Sequence, residues 1–502
     1  MVTKRDILGQ IKVGHRVAED EIKELENYFV KTSQWTKLSN GDIDVIYGAK
    51  GTGKSALYSL LIKKGDKFNG KGILTIPAEN PLGASAFQSL IDENMDDEVN
   101  LTYIWKLYII QLICTELRKH GLKGDITDKL VLSLEEAKLL PKSYTLSSLF
   151  ARAKAFVQSF SEKETSEVEY TIGLDSDSGM PVATRRAKYN PADPMSKLTG
   201  VPVDDLLSYA NNGLRDSDVT IWLLFDRLDV SFSSSPALER SALRALFRVY
   251  SDLKPLDNIK AKIFVRRDIW ERITEGGFRE ASHIIKTDLI NWDRDGLLNL
   301  IVNRLVNNQI LTTYLSIDKQ ETIEQIEKQK NVLDRIFPNK VDTGKNPDSF
   351  DWIISRVQDG SKQTAPRELI HMLECMIANQ LKKLEQGKPE PENEMLFERN
   401  IFKESLKTVS KVRYEQTFCA EYPDLKNYTE LLKGEKSEQS IDSLSKIWNT
   451  TIDDATNIAD KLVASGFFEL RSDKGKASYW VPFLYRDALE LIRGKSSRLS
   501  KQ

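Results

Sequence analysis

Cysteine is scarce in this chain. The 502 residues contain three, Cys114, Cys375 and Cys419, far apart and without a CxxC spacing, which excludes a disulfide framework and a zinc knuckle. A reducing cytoplasm is the expected compartment. The four histidines, His15, His120, His283 and His371, have no metal-ligand spacing, and no serine or cysteine triad motif is visible. Net charge is nearly absent as well: 72 Lys plus Arg face 74 Asp plus Glu, so any nucleic-acid contact has to come from a local patch. No run of 18 apolar residues occurs, and the start, Met1-Val-Thr-Lys-Arg-Asp6, has no apolar leader. Secretion and membrane insertion are therefore not expected. With 40% hydrophobic and 29% charged residues the chain reads as globular, and its length predicts two or three domains.

What is present begins with residues 41–57, Gly-Asp-Ile-Asp-Val-Ile-Tyr-Gly-Ala-Lys-Gly-Thr-Gly-Lys-Ser-Ala-Leu. An apolar run from Ile43 to Tyr47 feeds the pattern GxxxxGK[ST], and a helical pattern follows from Ala56. Phosphate binding needs that order of strand, loop and helix, because successive backbone N–H groups and a helix N-terminus converge on the anion. Gly48, Ala49, Lys50, Gly51, Thr52, Gly53, Lys54 and Ser55 form the expected nucleotide-binding set. The glycines permit the backbone path, Lys54 reaches the β- and γ-phosphates, and the Ser55 hydroxyl ligates magnesium. The expected ligand is ATP with Mg2+.

Residues 219–229, Val-Thr-Ile-Trp-Leu-Leu-Phe-Asp-Arg-Leu-Asp, read as a buried parallel strand ending in acid. Asp226 then lies at the strand's C-terminal edge, where α/β sheets bind ligands, placed to hold a magnesium-bound water opposite Ser55. Asp229 is a candidate to orient or deprotonate the attacking water; alternatively it caps the next helix or pairs with Arg227. A third run, Lys260-Ala-Lys-Ile-Phe-Val-Arg-Arg-Asp268, ends in Arg266 and Arg267. Either is a candidate γ-phosphate sensor, the alternative being an ion pair with Asp268 or Glu271. Behind Pro366, Arg367 falls in the first turn of a helix, poorly matched to the helix dipole, which points to another task.

With these four segments in order, residues 1 to about 380 resemble the additional-strand P-loop ATPases, particularly the AAA+ and STAND (NACHT-like) groups. That resemblance implies that the strand bearing Arg266 lies between the P-loop strand and the strand ending in Asp226, and that Arg367 is a sensor on a lid. AAA+ proteins usually carry adjacent acids where this chain has Asp226 and Arg227; Asp226-x-x-Asp229 is closer to the NACHT layout. Val13-Gly-His-Arg-Val-Ala-Glu-Asp-Glu21 and Lys286-Thr-Asp-Leu-Ile-Asn-Trp-Asp-Arg-Asp-Gly-Leu297 are similar to segments of a little-characterised family of bacterial predicted P-loop ATPases.

The expected fold is α/β, a P-loop parallel-sheet core with a helical insertion, a helical lid and a C-terminal winged-helix-like domain. The expected boundaries are an N-terminal segment and first core part at 1–97, the insertion at 98–215, the second core part at 216–292, the lid at 293–385, a polar linker at 386–394 and the last domain at 395–502. A helix is expected over Glu21–Val30, and a hairpin pairs Val168–Leu174 with Pro181–Arg185. Beyond the linker come helices at Tyr428–Leu432, Ser443–Trp448 and Thr451–Ser465, then a hairpin over Phe467–Val481. The helix suited to a DNA groove carries Asp453, Asp454 and Asp460, so packing or a protein partner is favoured over base readout, while Arg471, Lys474 and Lys476 keep DNA open. Oligomerisation is also open. Asn339-Lys-Val-Asp342 matches a guanine-reading pattern but follows no buried strand and is read as chance.

Overall fold

The computed structural model describes residues 3–16, 21, 24–80, 85–87, 97–122, 124–158, 168–174, 181–187, 200–228, 235–274, 278, 283–473 and 476–495. The chain forms two compact units: Ser33–Gly48 with Lys54–Ile290, and Met1–Thr32 with Ala49–Gly53 and Asn291–Gln502.

The first unit is built on a five-stranded parallel sheet. Its strands, in chain order, are β1 (Val45–Gly48), β2 (Ile73–Pro77), β6 (Thr220–Phe225), β7 (Ile259–Arg266) and β8 (Thr287–Leu289); between β2 and β6 come β3 (Val168–Leu174), β4 (Pro181–Ala187) and β5 (Gly200–Pro202). The order across the large sheet is β2-β6-β7-β1-β8, so β7 lies between β1 and β6 as the resemblance implies. Strand β6 is an almost wholly apolar run, as expected of a strand buried on both faces of a parallel sheet, whereas β7 is interrupted by Lys260 and Lys262. The expected hairpin is present: β3 pairs antiparallel with β4 from Val168↔Ala187 to Leu174↔Pro181, and β5 joins it.

The segment expected as an insertion supplies much of this unit's core. The helix Glu98–Lys119 is capped by Asp97 and buries residues on every side, the signature of a helix inside a core. Trp105 Nε1 donates to Ala242 O at 2.9 Å and the Tyr108 hydroxyl to Ala78 O at 2.8 Å. Phe87, Trp105, Tyr108 and Phe150 meet edge to face at 4.7–6.3 Å, the favoured geometry for ring quadrupoles. At the N-terminal side of the sheet, Lys262 of β7 is buried against Asp44 at 2.7 Å, over the Trp222 ring, with Tyr250 also donating to Asp44.

The second unit is helical with a small sheet. Its helices within 293–385, the stretch expected to form a lid, include Arg294–Val306, Ser349–Val357 and Pro366–Glu385. Arg399–Val412 runs on into a π-helical turn, Arg413–Phe418. Helix Pro423–Glu430, β9 (Lys436–Gln439), helices Ile441–Ile447 and Ile452–Ala464, then β10 (Glu469–Asp473), β11 (Lys476–Trp480) and β12 (Ile492–Lys495) follow. That is the order of a winged helix, with the wing between β10 and β11. The first of the expected helices sits earlier, because Pro423 starts it.

Two expectations change here. Glu21 lies in a bend, not a helix, and the helical stretch is Leu25–Tyr28; the Glu21 carboxylate is taken up by Arg304 at 2.6 and 2.9 Å. The 386–394 stretch does not divide two cores. Leu369, Met376, Phe402, Val409, Tyr414 and Tyr485 belong to one buried cluster running from Ile7 to Leu489, because Arg399–Val412 packs directly on Pro366–Glu385. Polar linker composition marks exposed backbone; it says nothing of what the flanking helices bury.

Candidate functional site

The C-terminal edge of the sheet gathers three of the expected groups. Gly48 ends β1 and stands in register with Arg266, the last residue of β7. Asp226 follows β6 directly and is 3% exposed. Its negative charge, after burial, helps raise the Tyr58 phenol well above its ordinary pKa. Lys54 and Ser55 open the helix Lys54–Lys63, and Lys54 Nζ donates to Gly48 O at 2.8 Å. The ammonium thus already lies back along the loop. Asp229 lies outside the described residues.

Arg227, the residue after Asp226, anchors the chain where it leaves the sheet. Arg227 has φ +56°, so the chain turns sharply out of β6, and Arg227 Nη1 donates to Asn80 O at 3.0 Å. Next to it Glu79, 1% exposed, accepts from the Asn80 and Ala86 N–H groups and the Ser85 hydroxyl. Burial nonetheless holds its pKa above the ordinary value. The motifs gave no sign of Glu79. A lone acid at the end of an apolar run was the available signal.

The two arginines after β7 differ. Arg266 forks onto Asp268 at 3.0 and 2.9 Å and is largely covered. Arg267 pairs with Glu271 at 2.8 Å across one helical turn, with both side chains well exposed, a position of small energetic weight.

In the second unit the loop apex Ala49–Gly53 is held by side chains from distant segments. Gly51 has φ +81°, and a Cβ there would come within 2.9 Å of Arg367 Cβ; the position requires glycine both for conformation and for space. The Arg367 N–H points to Gly51 O at 3.4 Å, and its buried Nε has no hydrogen-bond partner among the described residues. Trp292 Nε1 donates to Thr52 O at 2.9 Å and the Thr52 hydroxyl to Ala49 O at 2.8 Å. Lys50 pairs with Glu421, while Arg413 in the π-helical turn pairs with Glu368 at 3.0 Å. Of these groups Lys50, Arg367, Glu368 and Arg413 line a cavity of about 330 Å3, together with His15, Arg16 and His371. Glu421, Arg413 and Trp292 were not expected from motif spacing, although Trp292 lies in one of the segments that carry the resemblance.

The opening segment is fixed by Gly14. Its φ is +76°, and a Cβ would collide with Glu21 Oε1 and Arg304 Nη1. Arg304 also donates to Val13 O at 2.6 Å and lies over the Tyr28 ring. The guanine-reading pattern has a structural role instead: Asp342 accepts from Trp352 Nε1 at 2.7 Å and pairs with Lys403 at 2.6 Å. Among the described residues no helix is long and apolar enough to cross a membrane.

No family model matches the chain, and no curated protein matches it. Among solved structures it is similar to the Aeropyrum pernix ORC1 protein in complex with DNA, at 10% identity over 95% of this chain and 96% of that one, TM-score 0.37. It is also similar to the Aeropyrum pernix ORC2 protein in ADPNP–ADP complexes, at 12% identity over 95% and 94%, TM-score 0.34.

Proposed function

We propose that the protein is a magnesium-dependent ATPase whose γ-phosphate loss moves the lid and C-terminal helices to act on a protein or nucleic-acid partner. The observation that carries this reading is the loop itself. Gly51 and Gly53 hold positive φ, Lys54 folds back on Gly48 O, and Asp226 stands at the edge of the same sheet. The residues fit a triphosphate and its ion: N–H groups and Lys54 for the phosphates, Ser55 and Asp226 for magnesium. Magnesium would draw charge from the phosphate oxygens in the transition state. Asp229 is assigned to the attacking water, and Arg266, Arg267 and Arg367 are the candidates to sense the γ-phosphate, Arg367 favoured by its unpartnered Nε. The cavity bordered by Lys50 and Arg367 is within the size range of small-ligand sites.

Calorimetry on point variants tests it. Lys54→Ala should weaken ATP binding by roughly 10- to 100-fold, the worth of a charge-assisted bond; unchanged affinity would overturn the reading. Asp226→Asn should impair magnesium-dependent binding as well as turnover. Asp229→Asn should keep ATP bound but slow hydrolysis by about 10² to 10⁴.

A second reading, a nucleotide-gated switch with little turnover, is favoured by the Lys50–Glu421 and Arg413–Glu368 pairs, which tie loop apex and lid to the C-terminal helices. Phosphate release in a single turnover, compared with the steady state, separates the two.

A further inference from the structure

The small sheet of the second unit carries a row of stacked cations and rings that the ATPase reading leaves unused. Arg356, on the helix Ser349–Val357, lies 3.9 Å from the centroid of Phe483 and 5.2 Å from that of Trp352. Arg486 lies 4.1 Å from Phe483 and 4.2 Å from Trp480. Arg471, on β10, lies 3.9 Å from the same Trp480. Guanidinium and ring therefore alternate along Trp352, Arg356, Phe483, Arg486, Trp480 and Arg471. Exposed Arg493 on β12 adds its charge to Arg356 and Arg486.

Stacking satisfies the faces of these guanidiniums but not their edges. Arg486 Nε donates to Val481 O at 2.8 Å, whereas its buried Nη2 has no partner among the described residues. Carboxylates nearby are few. Glu469 forks onto Arg471 and also meets Lys362, Asp342 is shared with Lys403, and Asp487 lies beside Arg486. Burial, then the charges of Arg493, Arg471 and Arg356, push Arg486 down to about 10. The row is thus under-neutralised, and an anion would relieve it.

The length and occupancy of the row select the anion. Three guanidiniums separated by one ring each extend beyond a single phosphate group and suit charges in series. The ring faces already carry arginines, so unpaired bases have no platform on which to stack. The helix Ile452–Ala464, which a winged helix would place in a groove, exposes Asp453, Asp454 and Asp460, and Asp454 is engaged by the Thr451 cap. Base readout by that helix is opposed by repulsion from phosphate.

We propose that Arg356, Arg471, Arg486 and Arg493 form a binding strip for the phosphodiester backbone of duplex DNA, contacting it without reading bases. This does not depend on hydrolysis, and its failure is separable from that of the ATPase reading. The test is fluorescence anisotropy of the full chain with labelled duplexes of about 20 base pairs, two unrelated sequences, from about 50 to 200 mM salt. The expected result is equal affinity for both duplexes and a linear fall of log K with log salt. Arg471→Gln with Arg493→Gln, both exposed positions, should weaken binding about 10-fold at low salt and reduce the slope by about 2. The corresponding lysine pair should keep the slope, and ATP affinity should not change in either. Absence of binding at low salt would overturn the proposal, as would an unchanged slope in the glutamine pair. A marked preference for one sequence, tighter binding of single strands, or equal competition by polyglutamate would overturn it too, the last identifying an acidic protein surface as the partner.

Discussion

The sheet unit and the helical unit place their chemistry differently. In the first, Gly48, Asp226 and Arg266 stand at the ends of strands, so strand order alone brings them to one edge. In the second, the groups around the loop apex meet through side-chain pairs distant in sequence: Lys50 with Glu421, Arg413 with Glu368, Arg304 with Glu21. Each unit also buries one cation and carboxylate, Lys262–Asp44 in the sheet and Arg304–Glu21 in the helices. In the sheet unit backbone pairing sets position and side chains refine it. In the helical unit the charged pairs do part of the positioning, and such pairs are costly to break singly.

The largest expected effect follows from the shared core. Removing residues 395–502 strips Phe397, Phe402, Val409 and Tyr414 from the cluster that also holds Leu369, Leu373 and Met376. The helices between 294 and 385 should lose their fold while the sheet unit remains structured. Limited proteolysis reads this directly: helices as resistant as in the parent would show two separable cores.

Next come the buried pairs. Arg304→Met leaves Glu21 buried without its partner and should cost about 3 to 5 kcal/mol in urea unfolding. Lys262→Met should cost a comparable amount, and a loss near zero at either site would mean that the backbone alone holds that segment.

Smaller is the effect expected at the arginines proposed as γ-phosphate sensors. Arg367→Ala should lower the preference for ATP over ADP by about 1.5 to 3 kcal/mol, Arg266→Ala by less because Asp268 holds it, and Arg267→Ala hardly at all. Calorimetry with both nucleotides gives the ratios, and an order led by Arg267 would move the sensing group to the sheet edge.

The smallest concerns pH. Burial, then the Arg16 charge, lower His371 to about 4 from an unfolded value of 6.5. The folded state prefers the neutral ring, so its contribution is complete above pH 6.5 and is lost as pH falls through about 4. The loss should be about 1 to 2 kcal/mol, allowing for solvent at the cavity. His371→Gln should flatten the urea midpoint between those pH values; an unchanged slope would assign the titration to other groups.

The sheet and its edge were legible because their signals are local. Apolar runs mark β1, β6 and β7, and motif spacing places Gly48 and Asp226 at strand ends, whereas β8, three residues long, carries no such run. The strand pattern also gives the hairpin of Val168–Leu174 with Pro181–Arg185, which the structure extends to Ala187, and the order of the C-terminal helices and hairpin, with the first helix displaced to Pro423–Glu430. What escaped lies in pairings without a sequence period. Nothing about Glu421 or Arg413 announces a partner near residue 50 or 368, and a polar, proline-bearing stretch at 386–394 gave no hint that helices on either side share one core. The helix Glu98–Lys119 is a further case, because its polar positions Lys106 and Gln111 are buried with partners distant in sequence.

The indole of Trp292 donates to Thr52 O within the loop Ala49–Gly53, which gives the protein an optical reporter of its own. Indole emission responds to the dipole that its N–H faces, so any rearrangement of Thr52 on filling the loop changes the colour and yield of this one ring. The chain has eight tryptophans, and the difference between parent and Trp292→Phe isolates the signal. Mixing in a stopped-flow cell would then time the loop's response with no label attached.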